Sequence, residues 1–194
     1  MKIGKHIIGQ HKIKTPKIAE VKIPPQPDIR VCKWFQKAAH GDRYALRRVY
    51  LLTNAAAYGY AYSVLRDGKA AETIVIQAYR TLSCGKMDFT QPTMPLFDFF
   101  QTLYVMAQGQ ADKQRNTYYV NALSFDRISD PTDRILLQTA FEVLPTLHLQ
   151  ILLLTCCCPV SMEELCLLFR MQPEEIRRTR EAAVRRLLLY LDEE

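Results

Sequence analysis

Apolar residues return at helical spacing over most of this chain. In residues 44–65, Leu46, Val49, Tyr50, Ala57, Tyr60, Ala61, Val64 and Leu65 recur every three or four positions, the signature of an α-helix with one buried face. A shorter helical pattern covers Ile29–Ala39 and pauses at Gly41-Asp42. Asp67-Gly68 marks a turn, and residues 70–82 form a further helix with Ile74, Ile76 and Tyr79 among its apolar positions. Residues 85–95 read as a loop, with Pro92 and Pro95 at its end. Residues 96–119 return to strong helical pattern, carrying Phe97, Phe100, Leu103, Tyr104 and Ala107.

The last third is the most organised. An apolar helix led by Leu144-Pro145 is followed by a polar break, then by a helix opened by Ser161. Ser161 and Glu164 have the spacing of a capping box. A turn at Arg170-Met171-Gln172 leads to an arginine-rich helix, with Pro173 suited to its first position. Glu174 and Glu175 follow at the positive end of the helix dipole. This order is the outline of a helix-turn-helix, whose second helix enters the DNA major groove. Period-two alternation of strand type is confined to the first 28 residues, where lysine alternates with isoleucine or valine before Pro24-Pro25-Gln26-Pro27. The pattern therefore predicts an all-α chain: an extended or disordered basic tail over 1–28, a helical domain over 29–120, a linker over 121–133 containing Asp126, Asp130 and Pro131, and a second helical domain over 134–194.

Charge sharpens this picture only in part. The formal charge of +6 over 194 residues favours a polyanionic partner. The tail holds Lys2, Lys5, Lys12, Lys14, Lys17 and Lys22 against Glu20 and Asp28, a composition suited to weak, salt-sensitive contact with nucleic acid. From Arg134 onward seven arginines face nine carboxylates, so the last third is slightly acidic and has no strong nonspecific grip on DNA by itself. The apolar run over 147–158 is too short for a membrane span and is interrupted by His148 and Gln150. The amino-terminal lysines are not followed by an apolar core with a cleavage site. The expected location is the cytoplasm, with no membrane insertion and with Cys32, Cys84, Cys156, Cys157, Cys158 and Cys166 as reduced thiols.

The residues carry a family resemblance. Leu144-Pro-Thr-Leu-His-Leu-Gln-Ile-Leu-Leu-Leu, Ser161-Met-Glu-Glu-Leu-Cys and Pro173-Glu-Glu-Ile-Arg-Arg-Thr-Arg-Glu-Ala-Ala-Val-Arg-Arg-Leu run without a gap over roughly forty residues. Together they resemble the promoter-reading domain of bacterial sigma factors of the extracytoplasmic-function group. Residues 58–65, Asp67-Gly68, Ala71-Glu72-Thr73 and Tyr79 are similar to the aromatic helix, turn and Ala-Glu-Asp segment of the family's other domain. Residues 97–115, with Asp112 and Arg115, stand where that family has its −10-reading helix. Thr73 replaces the family's aspartate, and Ile76 takes the place of a glutamine, with Gln77 one position late.

That resemblance implies a protein that binds core RNA polymerase through Glu72, Thr73, Gln77 and Arg80. It further implies reading of the promoter −10 element by the first domain and the −35 element by the second. The polymerase would supply the catalysis, and an anti-sigma factor is a common partner in such families. No cofactor or metal is implied.

On the residues' own chemistry, Ile176, Thr179, Ala183 and Leu187 form the buried stripe of the last helix, which turns Glu174, Glu175, Arg177, Arg178 and Glu181 outward near its start. Arginine can hold guanine bidentately and glutamate can accept from cytosine, so this set can read sequence. Arg185 and Arg186, further along, suit phosphates. The bland alternative is a solvated helix face. Lys113 and Arg115 close the earlier helix beside Tyr104, where cations and aromatics suit an opened strand; the alternative is that Phe97, Phe100, Leu103 and Tyr104 are simply core at helical spacing. Taken alone, Glu72, Thr73, Gln77 and Arg80 form an ordinary polar face. No phosphate loop, zinc-protease or nucleophile-elbow motif is present, which argues against an enzyme.

Two other readings stay open: a helix-turn-helix regulator or degenerate sigma-like protein without initiation activity, and a metal or redox sensor built on Cys156–Cys158. Adjacent cysteines on a helix point about 100° apart and cannot all ligate one ion unless the helix unwinds, as Pro159 at its end allows; the other reading is buried reduced thiols acting as small apolar residues.

Overall fold

The computed structural model describes residues 22–87, 89–90, 93–114 and 143–192. These residues form seven helices and no strand: α1 Ile29–Ala39, α2 Arg43–Leu65, α3 Gly68–Ser83, α4 Pro95–Gln114, α5 Thr146–Cys157, α6 Met162–Phe169 and α7 Pro173–Asp192. The all-α expectation holds among them, and no helix is long and apolar enough to cross a membrane.

Three aspartates start the first three helices. Asp28, Asp42 and Asp67 each accept backbone N–H bonds from the first turn that follows, satisfying donors that have no partner inside the helix. The chain leaves α1 through Gly41, whose positive φ of 83° is cheap only for glycine. α2 ends on Arg66 in the left-handed region, where the backbone N–H returns to the carbonyl of Tyr62.

α2, at 23 residues, is the axis of the molecule, and α1, α3, α4 and α5 all pack on it. Its inner face carries Ala56, Ala57, Gly59 and Ala61, small residues that let neighbouring helices approach closely. Phe35, Tyr79, Phe99, Phe100 and Tyr60 fill the space between α1, α2, α3 and α4: Phe35, Tyr79 and Phe100 each meet Phe99 and Tyr60 meets Phe100, with ring centroids 5.2–5.7 Å apart. Phe100 and Leu103 are thus core, as the bland reading of α4 had it, while Phe97 is half-buried and Tyr104 is exposed.

α5 explains how the two parts of the chain meet. Leu149, Ile151, Leu152, Leu153 and Leu154 are all buried, so the helix is apolar all round and needs cover on every side. α7 covers one side and α2 another. The fit to α2 is tight: a Cβ placed on Gly59 would lie 2.8 Å from Leu153 Cδ1. Beside it, buried Gln150 donates from Nε2 to Ser63 Oγ at 2.9 Å.

Described residues of both expected modules, 29–120 and 134–194, contribute to one buried core. A separate second module would leave one apolar side of α5 in water. The 121–133 linker and residues 134–142 lie outside the described residues. Of the expected tail, residues 22–27 are non-helical and run against α6, where the carbonyl of Pro24 accepts the Met162 N–H at 2.7 Å. Residues 1–21 lie outside the described residues.

Candidate nucleic-acid interface

The candidate site is built on Ser161 and Glu164. Ser161 Oγ accepts from the Glu164 N–H, and Glu164 Oε2 accepts from the Ser161 N–H at 2.9 Å, closing a capping box at the start of α6. The spacing of Ser161 and Glu164 in the sequence predicts this box. Unforeseen is the second role of Glu164: its Oε1 accepts from the Leu96 N–H at 3.2 Å, so the same carboxylate also serves the first turn of α4. The residue is fully buried, and burial raises its carboxyl above its ordinary value despite these hydrogen bonds.

α6 ends on Arg170 in the left-handed region, and the Met171 N–H returns to the Cys166 carbonyl at 3.2 Å. Gln172 follows, its N–H donating to Glu175 Oε2 at 2.8 Å, and Pro173 opens α7. Three residues, 170–172, thus separate α6 from α7, and the two helices are in contact.

α7 sorts its residues by face. Ile176, Ala183 and Leu187 are buried as expected, Thr179 is half-buried, and Val184 joins the inner side. Glu174, Glu175, Arg177, Arg178, Glu181, Arg185 and Arg186 are all exposed. Arg177 is held by Glu174 at 2.8 Å, with both side chains more than half exposed. Residues 22–26 border this helix across a groove of about 1050 Å³ lined by Ile23, Met162, Cys166, Pro173 and Arg177.

The other predicted site residues lie on different helices. Thr73, Gln77 and Arg80 are exposed on α3, with Glu72 half-buried, and Ile76 stands among them as an exposed apolar residue at 45%. Lys113 is in the last turn of α4, and Arg115 lies outside the described residues. No family model and no curated protein matches this chain.

The cysteines differ in burial, and of the 156–158 run only Cys158 is a core thiol. Cys156 is exposed, Cys157 half-buried and Cys158 buried, so the run fans around the end of α5. Burial pushes the Cys158 thiol well above its usual value and raises Cys166 as well, which works against the thiolates that metals and oxidants require. No group of three metal-ligating side chains gathers among the described residues. Alkylation of the folded protein at neutral pH, followed by peptide mapping, is expected to label exposed Cys84 about tenfold or more faster than Cys158. Equal rates would mean that the α5 terminus opens to solvent.

Proposed function

We propose that this chain is a cytoplasmic, sigma-like transcription initiation protein whose α6–α7 pair is a helix-turn-helix reading the promoter −35 element. One observation carries the reading: a helix entered through a capped brace and a three-residue turn, with its apolar stripe buried and all seven proposed contact residues exposed. Arg177 and Arg178 read bases, Glu174, Glu175 and Glu181 discriminate by accepting from or repelling base edges, and Arg185 and Arg186 hold phosphates. Thr73, Gln77 and Arg80, with Glu72, form the face offered to core RNA polymerase, and the α4 end with Lys113 and Arg115 takes the −10 element. The polymerase performs the chemistry.

Reading two separated promoter elements requires α5–α7 to leave α2. Burial of one leucine is worth about 2 kcal/mol, so exposing Leu153 and its neighbours needs binding energy from the polymerase and DNA together. An anti-sigma factor would act by withholding that change.

The shared core favours a second reading, in which the protein stays closed and uses α7 as a regulator's reading helix without initiating transcription. Co-purification decides between them. A sigma-like protein is retained by core polymerase, and Thr73→Arg plus Gln77→Glu abolishes retention. Lack of any association with core polymerase removes the initiation reading.

A further inference from the structure

Six cations occupy α1 and α2, and across residues 29–65 the only carboxylate is Asp42. On α2, with successive residues about 100° apart, Arg43, Tyr44, Arg47, Arg48 and Leu51 fall on one side, opposite buried Ala45, Val49 and Thr53. All five are exposed. Lys37, at the end of α1, adjoins them, its carbonyl accepting the Asp42 N–H at 3.1 Å. Arg30 is occupied by Asp28, but among the described residues no carboxylate pairs with Lys37, Arg43 or Arg47. α7, by contrast, alternates its arginines with three glutamates.

Helix stability does not account for this stripe. The first turn of α2 has no acidic residue, and Arg43 sits at the positive end of the helix dipole, where a cation is unfavourable. Tyr44 is 63% exposed. One face of its ring carries the Arg48 guanidinium, 5.2 Å from the centroid, and the Tyr44 hydroxyl accepts from Arg48 at 2.7 Å. Arg48 thus holds the ring from its own helix while the residue stays largely exposed. Cations spaced along a helix beside an oriented, exposed aromatic are the chemistry of single-strand nucleic-acid binding, in which phosphates are held by charge and bases stack. An amphipathic helix lying on a membrane would need its apolar face free, and that face of α2 is already the core.

We propose that the outer face of the α2 amino-terminal turns is a nucleic-acid surface distinct from α7, taking a single strand. Lys37, Arg43 and Arg47 hold the phosphates, and the exposed ring of Tyr44 stacks on a base. Polymerase association is not needed for this binding, so failure of the initiation reading leaves it standing.

The test is binding of the whole chain to a labelled twelve-residue oligothymidine across a salt series. Arg43→Gln plus Arg47→Gln is expected to reduce the slope of log affinity against log salt by about 1.4, the loss of two phosphate contacts. Tyr44→Ala is expected to weaken binding about tenfold at unchanged slope. Lys69→Gln plus Lys86→Gln makes the same charge change at exposed positions elsewhere and leaves both quantities as in the wild type. These substitutions are on the surface, and retained helicity shows that the variants fold. An unchanged slope in the arginine variant, equal affinity for the corresponding duplex, or binding to phosphatidylserine vesicles without binding to the oligonucleotide would each overturn the proposal.

Discussion

Glu164→Ala is expected to lower the unfolding free energy by about 3 kcal/mol, read as a fall in the urea midpoint. Three donors lose their acceptor at once in a fully buried place: the Ser161 N–H, the Ser161 hydroxyl at 2.8 Å and the Leu96 N–H. Each buried donor left unsatisfied costs about 1–3 kcal/mol, and the side chain leaves a void. Relief of a carboxylate that burial disfavours offsets part of the sum.

The same residue gives a pH dependence of definite sign. Burial raises the Glu164 carboxyl in the folded protein, so the folded state holds this proton more readily than the unfolded chain. The stabilisation linked to that proton is fully present below the ordinary glutamate value and is lost as pH rises through the raised one. Across that window wild-type stability should fall relative to Glu164→Gln. A difference between the two proteins that is flat in pH contradicts the buried, titrating bridge.

The contact between α2 and α5 gives the second large effect. Gly59→Val is expected to cost about 2 kcal/mol, because its side chain runs into Leu153, already 2.8 Å from a Cβ at this position. Leu153→Ala alone should cost about 3 kcal/mol through the cavity it leaves. Combined, the pair should cost about 1 kcal/mol less than the sum, since each change relieves the other. Additive costs would mean that the two helices do not touch in solution.

Helix limits were legible wherever a local rule sets them. Asp67-Gly68 marks the start of α3, Ser161 with Glu164 the start of α6, and Pro173 that of α7, each within a few residues of its own cause. The outward set on α7 was legible too, because a single helical period fixes it. What could not be read is partnership across distance. Gln150 and Ser63 lie 87 positions apart, and neither carries a mark that names the other. The all-round apolar character of α5 shows that it is interior, but a sequence does not state that α2 covers its second side. Charge was read by segments, so the lysine tail and the α7 arginines stood out. The cations of α1 and α2 become one patch only when sorted by helix face.

The reading of α7 is tested most directly by in vitro transcription with core polymerase on a genomic library, comparing wild type with Arg177→Ala plus Arg178→Ala. A sigma-like protein directs initiation at a defined set of promoters, and the double variant loses or redistributes that set. An identical set of transcripts from both proteins would contradict base reading by these arginines.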